Sequence, residues 1–313
     1  MAYSEDNKIQ PVPPLHPEIQ KAVSRRNLAV FIGAGVSQVI GCKSWGELAQ
    51  RLVDKCYSTR KQNGERWLNF KQRETLSKNN DYKRTITICY RIVEENGKVD
   101  AFYDVLRECL EPDQELLESK NIYGELYGLH GLFVTTNVDE HFDPYFEPQR
   151  IAYKETDFRR DTVDRNKLYH IHGSILDPDT VVLRLPEYMR RYQDNQFKDF
   201  LREIFENHVV LFVGYGMGEF ELLDFLMIKT DSTDKKRLPR FMLEGYFEGE
   251  ENILELNQHY YDEMGIRVVG YQMDDEGYGQ LYEIIRRWNE EINQTSSYLY
   301  DSFDEIDEVV DNP

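Results

Sequence analysis

Short unbroken apolar runs punctuate an otherwise polar chain. Leu28–Ile32 (LAVFI), Gly131–Val134 (GLFV), Lys167–Ile171 (KLYHI), His208–Val213 (HVVLFV), Arg240–Leu243 and Ile266–Val269 each end at glycines or polar turns. Runs of this length with such boundaries predict strands buried on both faces of a parallel sheet. Ile151–Tyr153 predicts a further short strand and Val181–Leu183 an edge strand. Between them apolar residues recur every three or four positions, which predicts helices. These are Trp45, Leu48, Ala49, Leu52 and Val53; Tyr188 to Phe205, as one or two helices; Glu219 to Ile228; Ile253 to Met264; and Leu281 to Trp288. His141 to Phe146 predicts the start of another, ended by Pro148. From Ser58 to His130 the alternation stops. Tyr82–Glu95, Val99–Leu110 and Leu116–Leu129 are all helical in pattern, with no strand among them.

This order predicts an α/β fold: a doubly wound, mostly parallel Rossmann-like sheet with an inserted helical subdomain. The expected organisation is an N-terminal arm over 1–16, a sheet domain from 17–57 and 131–292, a helical insertion over 58–130, and an acidic tail or linker over 293–313. The ligand edge of such a sheet lies outside the carboxyl ends of its strands, so residues that directly follow strands are expected to meet there.

Composition narrows the function classes. A net charge of −19 over 313 residues argues against direct binding of nucleic acid or an anionic membrane surface, since both need a basic face. Six arginines between Arg159 and Arg191 read as solvated faces unless a phosphate lies near. The polar, Pro-rich start MAYSEDNKIQPVPP has no apolar core like that of a secretory signal, and no apolar run is long enough to span a bilayer. A cytoplasmic protein is expected. The four cysteines, Cys42, Cys56, Cys89 and Cys109, contain no C-x-x-C pair, so neither a disulfide framework nor a zinc site is expected.

Four stretches that follow strands carry the candidate chemistry. Gly33-Ala34-Gly35, with Ser37 just beyond, is a strand-to-helix glycine turn able to receive a nucleotide diphosphate on free N–H groups; its third glycine position is Gln38. Ser37 is also placed to cap or precede the helix marked by Trp45. Thr135-Thr136-Asn137-Val138-Asp139 offers an amide that both donates and accepts, and a carboxylate close by; Asn137 and Asp139 also suit a plain helix cap. His170-Ile171-His172-Gly173 brings a histidine to the end of a strand. If the strand ends at Ile171, the turn frees His172 to reach the cleft as a general base, while His170 packs inside. Gly214-Tyr215-Gly216 repeats the opening glycine turn, with Glu219 just after it.

In this order, FIGAGVS, TTNVDEHFD, YHIHGS and LFVGYGMGEFE resemble the sirtuin-like superfamily, and in particular the sirtuin-like domains of bacterial anti-phage defence systems. The resemblance spans about residues 20 to 290. It implies NAD⁺ as substrate, with contacts from Gly33, Ala34, Gly35, Ser37, Thr135, Thr136, Gly173, Gly214, Tyr215, Gly216 and Glu219. It implies Asn137 and His172 as the catalytic pair, with Asp139 positioning the nicotinamide or its ribose. Protein deacylases of the superfamily carry two C-x-x-C pairs between the histidine turn and the second glycine turn. This chain has no cysteine there, and TTN replaces their TQN. Water is then the expected acceptor, which makes the chain an NAD⁺ glycohydrolase. Switching by assembly into a homo-oligomer or by a sensor partner is expected, because an unregulated NADase would poison its own cell. The alternative is a module that binds NAD or ADP-ribose without turnover; a deacylase or ADP-ribosyltransferase is a third, weaker option.

Overall fold

The computed structural model describes residues 9–216 and 238–294. The predicted helix Glu219–Ile228, Glu219 itself and the tail beyond residue 294 lie outside these residues.

The apolar runs do pair as a parallel sheet. Its strands are β1 (Leu28–Ile32), β2 (Leu132–Thr135), β3 (Ile151–Ala152), β4 (Leu168–His170), β5 (Val209–Val213), β6 (Arg240–Tyr246) and β7 (Ile266–Gln272). They form one seven-stranded sheet in the order β3-β4-β2-β1-β5-β6-β7, with every neighbouring pair parallel. The chain starts at the middle of the sheet, builds one half outward through β2, then returns to β5 and builds the other. Ile32 at the end of β1 pairs with Thr135 on one side and Val213 on the other. The turns after these three strands therefore emerge level with one another, at the point where the strand order reverses.

Alternation along the strands sends side chains to two apolar layers. Leu28, Val30 and Ile32 join α1 (Pro17–Ser24), α8 (Ile122–Gly128) and the closing helix 280–294 on one face. Ala29 and Phe31 join α10 (Asn195–Asn207) and the end of helix Glu251–Asp262 on the other. A third core lies off the sheet, where α3 (Trp45–Ser58), α5 (Tyr82–Glu95) and α6 (Asp100–Leu110) pack Leu52, Cys56, Ile86, Cys89, Phe102 and Leu106 together. The helical block is thus divided by packing. Its last helix, α8, covers the sheet through Ile122, Tyr123 and Leu126, whereas α3, from the sheet side of the chain, belongs to the helical core.

Several expectations are corrected. Val181–Leu183 is no strand: it runs as an extended loop along the histidine turn, with Val182 N–H donating to His172 O at 2.8 Å and Val181 and Leu183 buried in the helical core. His141–Phe146 forms only a single 3-10 turn over Asp143–Tyr145, because Pro144 supplies no N–H and restricts the residue before it. Leu116–Leu129 splits into α7 (Gln114–Ser119) and α8, since Asn121 breaks off to cap the second helix at Gly124 N (3.0 Å). α3 is capped not by Ser37 but by Ser44, in a reciprocal pair with Glu47. Ser37 instead lies buried inside the six-residue α2 (Ala34–Val39), which starts directly at Gly33. Residues 9–16, read from composition as part of a loose arm, pack on the body. Ile9 and Leu15 are buried, Trp288 Nε1 donates to Pro13 O and Gln280 Nε2 to Pro11 O.

Candidate functional site

The turns after β1, β2 and β5 meet as their strand register requires. Gly35 N–H donates to Gly214 O at 2.8 Å, and Gly33 N–H to Val213 O at 2.9 Å. A Cβ on Gly33 would lie 2.6 Å from Gly214 O, and one on Gly214, whose φ is +68°, 2.5 Å from Val36 N. These glycines are therefore demanded first by the contact between two turns. Gly216 is different: among the described residues, a Cβ there would meet nothing within 4 Å. Tyr215 is buried against Phe212, in the core rather than at the edge.

Asn137 leaves the end of β2 and turns its amide toward the first glycine turn. Its Nδ2 donates to Gly33 O (3.1 Å) and to Ser37 Oγ (2.8 Å). Ser37 Oγ donates to Asp139 Oδ2 at 2.7 Å, and the Tyr123 hydroxyl lies 3.0 Å from Ser37 Oγ and 3.4 Å from Asp139 Oδ1, with its one proton facing these two acceptors. Asp139 also accepts from His141 N at 3.3 Å. All four side chains are buried. Burial, and then the Asp139 charge, push the Tyr123 phenol well up and the Cys42 thiol beside it up to about 12. Both stay protonated at neutral pH. Tyr123 is invisible as a site residue in the sequence, where it reads as one more apolar position of a helix; its hydroxyl is a polar tip on an otherwise buried ring.

Thr135 and Thr136 tie the end of β2 to β1. The Thr135 hydroxyl donates to Ile32 O at 3.1 Å and accepts from Asn137 N at 3.0 Å, and Thr136 N–H also donates to Ile32 O. Gly173, at φ +80°, is packed against the Thr180 backbone and tightens the histidine turn.

β4 ends at His170, so His172 stands on the turn beyond it. There it is 2% exposed, beneath α9 (Leu185–Gln193): its Nε2 meets Tyr192 OH at 2.9 Å and its ring sits edge-on to Tyr188 at 5.0 Å. Burial, helped by the Arg191 and Lys83 charges, lowers its pKa to about 3, so it is neutral at pH 7. Arg191, which the sequence alone reads as a solvated cation, is buried. It donates to Ile171 O at 2.6 Å and stacks its guanidinium over Phe158, which pins α9 onto the histidine turn.

A cavity of about 1060 Å³ opens over the glycine turns, between the sheet edge and the helical core. The sheet side supplies Ala34, Gly35, Gln38, Gly214 and Gly216, and Tyr278 joins them from near the C-terminus. The opposite wall comes from α3 and α5, including Trp45, Lys83 and Arg84, with Tyr188 between. This size suits a dinucleotide-scale ligand. A recess of about 40 Å³ shares Ala34, Ser44, Trp45 and Leu183 with the large cavity and is floored by Ser37, Asn137 and Asp139. It holds a few waters at most, so a ring could enter only if the walls move. His172 lines neither space; Tyr188 stands between it and the large cavity. Among the described residues no group of three or more His, Cys, Asp or Glu side chains is arranged to hold a metal.

A parallel doubly wound sheet with an amide, a carboxylate and two glycine turns at its switch point defines an α/β domain of the Rossmann-like kind. Residues 131–269, from β2 through the histidine turn to β7, match the SIR2-like domain family. Over 266 residues the chain is 23% identical to Defense-associated sirtuin 2 of Bacillus subtilis, an alignment that covers 80% of this chain and 24% of that protein. The family match takes in three of the four motifs, those after β2, β4 and β5, and the chain spans about a quarter of the length of the curated relative it matches. Among the described residues no helix is long and apolar enough to cross a membrane.

Proposed function

We propose that the chain is an NAD⁺ glycohydrolase, cleaving NAD⁺ to nicotinamide and ADP-ribose, and that it serves anti-phage defence by depleting NAD⁺. One observation carries the reading: Asn137, Ser37 and Asp139 floor a recess that continues a dinucleotide-sized cavity over the glycine turns. Similarity to a defence-associated sirtuin supports both the ligand class and the biological setting. In this reading the diphosphate lies along Gly33–Gly35 and near Gly216, with Lys83 and Arg84 supplying positive charge from the opposite wall. The nicotinamide end faces the recess and enters it as the walls part, where the Asn137 amide orients the ribose and the attacking water.

The C1′–N bond breaks with its electron pair leaving on nicotinamide, through an oxocarbenium-like state. Water oxygen then bonds to C1′ and surrenders a proton to a general base, the role assigned to His172. With a pKa of about 3 and its Nε2 occupied by Tyr192, His172 is a poor base as it stands. Displacing α9 would hydrate the ring and raise its proton affinity, which is how assembly or a partner protein would switch the enzyme on.

The test is NAD⁺ consumption by the purified chain across a concentration series, beside Asn137→Ala and His172→Ala. Release of nicotinamide and ADP-ribose, lost in both variants, is the expected result; a steep dependence on protein concentration would identify assembly as the switch. The buried, hydroxyl-bonded His172 favours one second reading, a module that binds NAD or ADP-ribose without turning it over. Unchanged NAD⁺ under every condition, with tight binding that survives His172→Ala, would decide for that reading.

A further inference from the structure

We infer that His170 is a buried imidazolium clamped between Asp143 and the Asn137 carbonyl, and that it is the positioning residue that holds the Asn137 amide at the sheet edge. The proposal builds on the role given to Asn137 above, but its first readout does not depend on turnover.

Both ring nitrogens of His170 face oxygen. Nδ1 lies 3.1 Å from Asn137 O, and Nε2 lies 2.8 Å from Asp143 Oδ1. A peptide carbonyl only accepts, so Nδ1 must carry a proton. A carboxylate also only accepts, so Nε2 must carry the other. Flipping the ring would set carbons against both oxygens and leave two acceptors unmet, so the orientation is set by the contacts themselves. The ring is 1% exposed while Asp143 is 17% exposed. The carboxylate thus keeps some contact with water, and the imidazole is the more deeply buried partner. The charged groups facing the ring are Asp143, from the 3-10 turn, and Asp139, from the loop after β2. Burial alone would lower its proton affinity, but the Asp143 hydrogen bond and charge outweigh it and raise the pKa above the ordinary 6.5.

The placement gives this charge a task. His170 pairs with Thr135 across the β4–β2 ladder, while its ring reaches forward to the carbonyl of the residue that carries the candidate catalytic amide. The 3-10 turn that carries Asp143 is thereby tied to the Asn137 loop through one ring. An uncompensated buried charge is costly, so Asp143 and His170 act as a unit, and losing the proton from either nitrogen releases one end of the clamp.

The experiment is a long-range nitrogen–proton correlation spectrum of the full chain labelled at histidine, assigned with His170→Gln, together with the backbone amide resonances of Asn137 and Val138 followed from pH 6 to 10. The expected result is two protonated nitrogens on His170 at pH 7, with both backbone amides shifting at the midpoint where the ring loses its proton. One bare ring nitrogen at pH 7, or amides indifferent to the ring's titration, would overturn the inference. In a chain that cleaves NAD⁺, His170→Gln should lower kcat about 10- to 100-fold with little change in KM, and should erase the alkaline fall that the wild type shows at the His170 midpoint. An unaltered pH profile would also overturn it. If the wild type neither binds nor cleaves NAD⁺, the proposed function fails while the two spectroscopic outcomes still decide the clamp.

Discussion

His170 reaches from β4 to a carboxylate, whereas His172, one turn further on, is packed beneath Tyr188 and Tyr192 with Arg191 and Lys83 nearby. The two rings therefore depart from the ordinary histidine pKa in opposite directions. For His170 the folded value is raised, so its contribution to stability is full below about 6.5 and is lost as pH climbs through the folded value. For His172 the folded value is lowered to about 3, so its contribution is full above about 6.5 and is lost as pH falls from there toward 3. Within that window the unfolded chain takes up a proton that the folded chain refuses, at about 1.4 kcal/mol per pH unit. The expected outcome is that His172→Gln flattens the loss of stability between pH 6 and pH 4, measured from urea midpoints. An acid slope equal to that of the wild type would contradict the burial argument. That a histidine follows a strand here is legible in the chain; which of the two is charged is not, because the deciding partners, Asp143 and Tyr192, stand 27 and 20 residues away.

At the scale of elements, the glycine turns show why a motif and its ligand are easily confused. Gly33, Gly35 and Gly214 read as a cradle for phosphate, and Gly35 and Gly214 do border the large cavity, yet each of the three is also packed against the facing turn. Gly214→Ala should therefore destabilise the chain whether or not NAD⁺ is bound. The cost is about 2–4 kcal/mol, from the left-handed backbone and the forced overlap with Val36, and it is measurable as a lower denaturant midpoint without ligand. Gly216, where a Cβ would meet none of the described residues, should cost less stability as alanine than Gly214 does. The buried strands were readable because a residue covered on both faces leaves no polar positions to blur the run. Val181–Leu183 carries the same apolar signal but is buried in the helical core without strand partners, and pairing leaves no mark within a three-residue run. Pro144 cut short the helix expected after Asp139, and Asn121 divided another into two.

Over the whole molecule, the large cavity exists only because two packed bodies face one another, the sheet edge and the core of α3, α5 and α6. A ligand that bridges them stabilises the folded chain by mass action. NAD⁺ at one hundred times its dissociation constant should add about 2.7 kcal/mol, visible as a rise in melting temperature. Arg84→Glu should weaken that rise by reversing a charge on the helical wall while leaving the unliganded melting temperature nearly unchanged, since Arg84 is an exposed side chain. Equal stabilisation of both proteins would remove α5 from the binding site.

The sequence by itself determined the buried strands, the doubly wound class, the four motifs and their common edge. Each is written in local periodicity or in residues adjacent to a strand end, where a few positions carry the physical signal. Tertiary structure alone decided that Tyr123 joins Ser37 and Asp139, that Arg191 is buried, that α3 packs with the insertion while α8 packs on the sheet, and that His172 is closed off beneath α9. These depend on partners far apart in the chain, and neither burial nor proton affinity is a property of a residue until its neighbours are in place.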